Sequence, residues 1–373
     1  VTETVTETEA VPVAFSPNGG EPRPAETLSY RQAREAPCLT CTTSPCCTYL
    51  LLRDFQMDTL MDVDYGVFLL NFEGIVLGLR PDRKVDVYLY QPCGNLDAGS
   101  GLCTVHGTNL QPAVCVHYKS QTCSYRHIFT TDTNPDKALL DADRMAWLAE
   151  QIVFDDDRKV VGFPDWPDVL HAFAAMPTDR RPAAPPAPDP MIEQWRTIVL
   201  SAKPADDDAE PDFHRFSDPV VSQPCEGCGA YCCKVLVFDR GQPSDASQIE
   251  FMRYCLGFPS VEVGVADEGW AVIVHTTCRH LVDNRCSVYG SDQRPLKCDY
   301  YDAMNCAYRG HFGVPEPQGV VRVTREQFPY VADSIVFDDL GRIVAIPPAD
   351  VIRDRLAAVE RAMAAHANAN RPA

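Results

Sequence analysis

The chain has 373 residues, room for two domains of ordinary size, and its 45% hydrophobic and 23% charged content is that of a globular protein with a core. A net charge of −19, from 33 basic against 52 acidic residues, argues against a partner bound through a nucleic-acid phosphate backbone. No apolar run approaches the roughly 18 residues of a membrane span, so no membrane is expected either.

In chain order, residues 1–36 are rich in Thr, Glu and Pro and read as a disordered arm. With neither a basic region nor an apolar segment it is not a secretory signal, and a cytoplasmic location is expected. A first module, 37–176, opens on Cys38, Cys41, Cys46 and Cys47. A β run follows over 49–55, then a helix over 59–71. Two alternating strands at 75–79 and 85–90 turn through Pro81-Asp82. Cys93, Cys103, Cys115 and Cys123 come next, then a predicted helix over 137–151, a strand at Ile152-Val153-Phe154-Asp155-Asp156 and a terminal helix.

Residues 177–219 are a Pro- and Asp-rich linker, with Asp206-Asp207-Asp208 and an extended Pro185-Pro186-Ala187-Pro188. Ile192, Trp195, Ile198 and Val199 place one short helix over 191–202. A second module, 220–369, repeats the order. Cys225, Cys228, Cys232 and Cys233 lead a β run at 234–239 and a helix at 246–256 behind Ser244-Asp245. Strands at 261–265 and 270–275 turn through Asp267-Glu268-Gly269. Cys278, Cys286, Cys298 and Cys306 follow, with a helix at 325–333, a second Ile-Val-Phe-Asp-Asp strand and a terminal helix. Strands mixed with helices, without βαβ alternation, predict an α+β fold: two tandem homologous cysteine-rich modules of short antiparallel strands and flanking helices.

The 17 cysteines are the outlying feature. Disulfide frameworks belong to small secreted chains. Here the number is odd, and Cys38-x2-Cys41-x4-Cys46-Cys47 and Cys225-x2-Cys228-x3-Cys232-Cys233 crowd four thiols into a few residues. A C-x-x-C pair on a turn brings two sulfurs to one metal, which favours ligation over redox dithiols or bridges. In extended chain successive side chains point to opposite sides. The adjacent pairs are therefore expected to serve two metals of a cluster or two sites, or to include a bystander.

An internal repeat sorts the thiols. Adding 183 carries Cys103, Cys115 and Cys123 to Cys286, Cys298 and Cys306, and the run 152–156 to 335–339. With slightly larger offsets Cys93 maps to Cys278, Cys46 and Cys47 to Cys232 and Cys233, and Cys38 and Cys41 to Cys225 and Cys228. The chain reads as a tandem duplication with eight recurring candidate ligands per half. Cys255 alone has no counterpart; it replaces a Leu in a helical pattern and reads as a small buried hydrophobe.

The stretch Cys286-Ser287-Val288-Tyr289, then Arg294-Pro295-Leu296-Lys297-Cys298, together with the thiol knot before it, resembles the cysteine-cluster family of zinc- or iron-chelating domains (CxxCxxCC type). The first half is a looser copy, with His106 in place of Tyr289 and Gln111 in place of Arg294. The resemblance covers both modules and implies metal chelation. Some proteins with such clusters resemble flagellin lysine methylases, which implies methyl transfer as one reading.

Pro112 and Pro295 stiffen the approach to the next ligand. Arg294 is a candidate contact to the metal-bound sulfurs, with a surface ion pair as the alternative, and Tyr289 reads as packing. His106, His117, His275, His280 and His311 lie among the cysteines as secondary candidates.

Thiolate-only ligation suits both zinc and iron–sulfur clusters. The thiol number and the adjacent pairs lean toward iron–sulfur, with [4Fe–4S] expected. Three functions follow: a metal-binding protein for electron transfer, metal handling or cluster assembly with a protein partner; a structural zinc scaffold for protein contacts; and a methyltransferase-like enzyme. The third lacks a Gly-rich loop after a strand, since Gly227 and Gly229 lie inside the thiol knot.

Overall fold

A computed structural model of the chain describes residues 44–118, 125, 133–134, 136–178, 230–301 and 320–369. The arm 1–36, the helix at 191–202, His311 and Cys38, Cys41, Cys123, Cys225, Cys228 and Cys306 lie outside the described residues.

In the first half apolar runs form β1 (Tyr49–Gln56), β2 (Ile75–Leu79) and β3 (Lys84–Tyr90), with α1 (Leu60–Leu69) between β1 and β2. Thr59 starts α1 through a capping box with Asp62, which satisfies backbone donors that no helical carbonyl can reach. After β3 come α2 (Ala113–Val116), β4 (Thr133–Asn134), β5 (Lys137–Leu140), α3 (Ala142–Gln151), β6 (Val153–Phe154), β7 (Val160–Gly162) and α4 (Trp166–Ala174). The strands assemble as an antiparallel sheet in the order β1-β3-β2-β5-β4.

The second half contributes β8 (Val235–Gly241), α5 (Ala246–Cys255), β9 (Val261–Ala266), β10 (Gly269–His275), β11 (Leu281–Val282) and β12 (Arg285–Cys286). It continues with α6 (Leu296–Asp299), β13 (Val321–Val323), α7 (Phe328–Ala332), β14 (Val336–Phe337), β15 (Ile343–Ala345) and α8 (Ala349–Ala369). Asp245 caps α5 by accepting from Ser247 N and Gln248 N, as the start signal predicts. The second sheet runs β8-β10-β9-β13, the same order as β1-β3-β2-β5, again antiparallel. The fold is α+β. Among the described residues no helix is long and apolar enough to cross a membrane.

One expectation is corrected. Residues 137–151 are not one helix: 137–140 form β5, with Leu77 opposite Leu140, and Asp141 then caps α3 by accepting from Arg144 N. Ala138, Leu139 and Leu140 are all buried, and a short all-apolar run carries no periodicity by which strand and helix differ. Likewise the helix predicted at 325–333 is only α7, behind the edge strand β13.

The two halves pack together. Buried apolar side chains form one continuous cluster, from Leu50, Leu77 and Leu89 to Leu236, Val263 and Val272. Helix α1 packs on α6 and α2 on α5. Backbone hydrogen bonds cross the seam from Gly94 N to Gly257 O (2.7 Å), Glu73 N to Thr277 O (3.1 Å) and Arg279 N to Asn71 O (2.8 Å). Arg240 donates to Leu52 O, and Ser260 Oγ donates to Gln91 Oε1 at 2.7 Å.

The first sheet also carries a buried ionic group. Asp86 accepts from Lys137 Nζ, from Arg80 (2.5 Å) and from Tyr88 OH (3.1 Å). Burial pushes its carboxyl up, and the Lys137 and Arg80 cations more than reverse this, holding it below the usual range.

Candidate metal centres

Each candidate centre starts from a turn. Ser44 and Ala230 take left-handed backbone (φ 37° and 56°), and the chain then winds into 3-10 turns at Pro45–Cys47 and Tyr231–Cys233. At three residues per turn, successive side chains are about 120° apart rather than opposed. Cys46 Sγ and Cys47 Sγ accordingly lie 3.9 Å apart. The expectation that adjacent cysteines diverge is therefore corrected, because the segment is not extended.

The other thiols are brought to these turns by equivalent devices. Cys93 N donates to Cys47 O, and Cys278 N to Cys233 O, both at 2.7 Å. Leu96 bridges to Cys103. Cys286 sits opposite Leu281 in the β11–β12 hairpin, whose turn residues Asp283 and Asn284 both have positive φ, as a tight two-residue hairpin turn needs. Pro112 and Pro295, with φ of −57° and −56°, precede α2 and α6, which carry Cys115 and Cys298.

Five thiols of each half thus share a neighbourhood: Cys46, Cys47, Cys93, Cys103 and Cys115 in one, and Cys232, Cys233, Cys278, Cys286 and Cys298 in the other. All ten are half-buried and free of disulfides. Cys47 and Cys115 each interact electrostatically with Cys46, Cys93 and Cys103. Cys298 does so with Cys232, Cys278 and Cys286. Among the described residues, no three His, Cys, Asp or Glu side chains are already arranged about one point as around a metal ion.

The thiols differ in acidity. Cys46 is lowered to about 7 because it accepts the hydrogen of Cys47, which is itself raised. Cys232 and Cys278 are lowered to about 7 through their hydrogen bonds with Cys233, which is raised in turn. Burial pushes Cys115 and Cys298 up to about 12. Metal ligation needs the thiolate, so each half offers at least one sulfur that ionises near neutrality beside others that a cation would have to deprotonate.

Arg294 lies in the second neighbourhood. It donates to Cys298 O at 2.8 Å, pairs with Asp299 at 3.0 Å and stacks 4.4 Å above the ring of Tyr289. Its charge favours the thiolates of Cys232 and Cys298. Its Nε is buried with no hydrogen-bond partner among the described residues. Tyr289 is 66% exposed. In the first half Gln111 Oε1 instead accepts Gly107 N at 2.7 Å, so that position holds a turn and brings no charge.

Among the histidines, His106 and His117 are exposed and His280 is half-buried. His275 is buried against Glu262 (3.1 Å) and Arg322 (3.4 Å). Cys255, on α5, is fully buried in the shared apolar cluster and is raised to about 12 by that burial.

Sequence reasoning missed the residues that wall each neighbourhood from the opposite half. Tyr254 OH donates to Cys46 O at 2.8 Å, and a side chain at Gly257 would begin 3.1 Å from Cys93 Sγ. Glu250 accepts from Ala113 N at 2.7 Å, and Asp64 from Leu296 N and Lys297 N, both at 2.9 Å. The repeat held a signal: adding 186 to Asp64 gives Glu250, an acid at both copies. No family model, no curated protein and no solved structure matches the chain.

Proposed function

We propose that the protein binds a metal centre in each half through cysteine thiolates and works in electron transfer, metal handling or cluster assembly. The ligands are Cys46, Cys47, Cys93, Cys103 and Cys115 in one half and Cys232, Cys233, Cys278, Cys286 and Cys298 in the other. Cys38, Cys41, Cys123, Cys225, Cys228 and Cys306 join them from segments outside the described residues. The carrying observation is the gathering of five half-buried thiols, from four separate stretches of chain, at equivalent positions of both halves.

The donor set fits soft metals, zinc or iron–sulfur. A 3.9 Å separation is what two sulfurs on one tetrahedral ion require, about 3.8 Å for Zn–S bonds of about 2.3 Å, and this favours one ion on Cys46 and Cys47. The surplus of thiols beyond four per half favours a polynuclear cluster. Arg294, with its unpartnered Nε beside the second set, suits an anionic thiolate centre. A second reading, zinc as a structural scaffold, is favoured by the position of the thiols along the seam between the halves.

The test is metal analysis with visible absorption of anaerobically purified protein. Brown protein with several irons per chain supports the cluster reading, and colourless protein with stoichiometric zinc the scaffold. Cys298→Ser should lower the metal content, whereas Cys255→Ala, at a core position, should leave it at the wild-type level. Wild-type protein that takes up neither metal overturns the proposal.

A further inference from the structure

The short helices that carry Cys115 and Cys298 are too short to hold themselves: a single helical turn closes few of its own hydrogen bonds, and its first N–H groups have no helical acceptor. In both cases the acceptor comes from the other half. Glu250, on α5 of the second half, takes the N–H of Ala113 at the start of α2. Asp64, on α1 of the first half, takes both the Leu296 and Lys297 N–H groups at the start of α6, one on each carboxylate oxygen. Both acids are half-buried, and a carboxylate at a helix start also meets the positive end of the peptide dipoles.

The exchange extends around each site. The chain just after Cys93 is pinned by Gly94 N to Gly257 O, and the chain just after Cys278 by Arg279 N to Asn71 O, with Phe72 bridged to Cys278. Offsets of 186 and 185 carry Asn71 to Gly257 and Gly94 to Arg279, so these contacts are mirror partners across the seam.

We infer that Asp64 and Glu250 are positioning residues acting across the seam: Asp64 sets the Cys298 arm of the second-half centre, and Glu250 the Cys115 arm of the first-half centre. This rests on the metal-binding reading above, while the placement of the two thiol arms does not.

The experiment uses the full chain with Asp64→Asn or Glu250→Gln, which keep side-chain size and remove the charge, and with the Ala variants as a second pair. In metal-free protein, alkylation by iodoacetamide is followed at Cys115 and Cys298 by mass spectrometry. Asp64→Asn should accelerate Cys298 and Glu250→Gln should accelerate Cys115, each at least threefold over its effect on the other cysteine. Zinc competition against a chelator is then read in backgrounds where Cys115→Ser or Cys298→Ser disables one centre. Asp64→Asn should weaken the second-half centre, and Glu250→Gln the first-half centre, about tenfold more than its own half's centre. Equal effects on both arms, or effects confined to the substituted residue's own half, overturn the inference. Wild-type protein that binds no zinc or iron sinks the metal-binding reading, and the alkylation pattern still decides whether the carboxylates act across the seam.

Discussion

Asp86 is buried at 1% exposure with two cations and a tyrosyl hydroxyl upon it. Its carboxyl ionises below the ordinary value of about 3.9 in the folded protein. The stability this adds is fully present above that ordinary value and is lost as pH falls through the lower folded value. Asp86→Asn leaves Lys137 buried without its counter-charge, so a loss of about 3 kcal/mol at neutral pH is expected. The difference between variant and wild type should shrink as the medium is acidified below pH 4 or so. Urea unfolding at several pH values measures both, and a constant difference would refute the assignment. This ionic group was invisible in the sequence, because Asp86 and Lys137 meet only once β3 and β5 share a sheet through β2. The thiols were legible only as candidates: of the sixteen singled out by the repeat, ten fall in the described residues, five in each half and all half-buried, with Cys255 apart in the core.

Apolar strands set off by turn residues and helices opened by caps were legible, as at β2, β3, α1 and α5. What misled was a short element whose sequence pattern has no period. Leu139 and Leu140 fit either a strand or the following helix, and only pairing to β2 decides. The 3-10 turns were hidden for another reason: they depend on left-handed backbone at Ser44 and Ala230, residues that rarely adopt it. The turn after α5 offers a test at this scale. A methyl group on Gly257 would sit 3.0 Å from Tyr254 O and 3.1 Å from Cys93 Sγ. The backbone oxygen cannot yield cheaply, so Gly257→Ala should destabilise by about 1–3 kcal/mol. It should also reduce metal uptake through Cys93, in the half of the chain to which Gly257 does not belong. Thermal unfolding together with metal analysis separates the two effects; full metal retention would show that this contact does not shape the centre.

At the scale of the molecule, the α+β class was readable, and the second sheet has the strand order of the first. The Pro- and Asp-rich stretch between the halves reads as a linker joining two modules. The halves share one apolar cluster and exchange hydrogen bonds in both directions. Nothing local to either half announces this, since the partners of Asn71, Gln91 and Tyr254 lie about half a chain length away. A protease cut in the predicted linker, within 179–219, would sever one covalent link, and the seam contacts made by the described residues would still join the halves. The nicked protein should elute as a single species of undiminished size in gel filtration and come apart only in denaturant. Two fragments made separately should recover that species when mixed, so the polypeptide behaves as a heterodimer whose subunits happen to be spliced end to end.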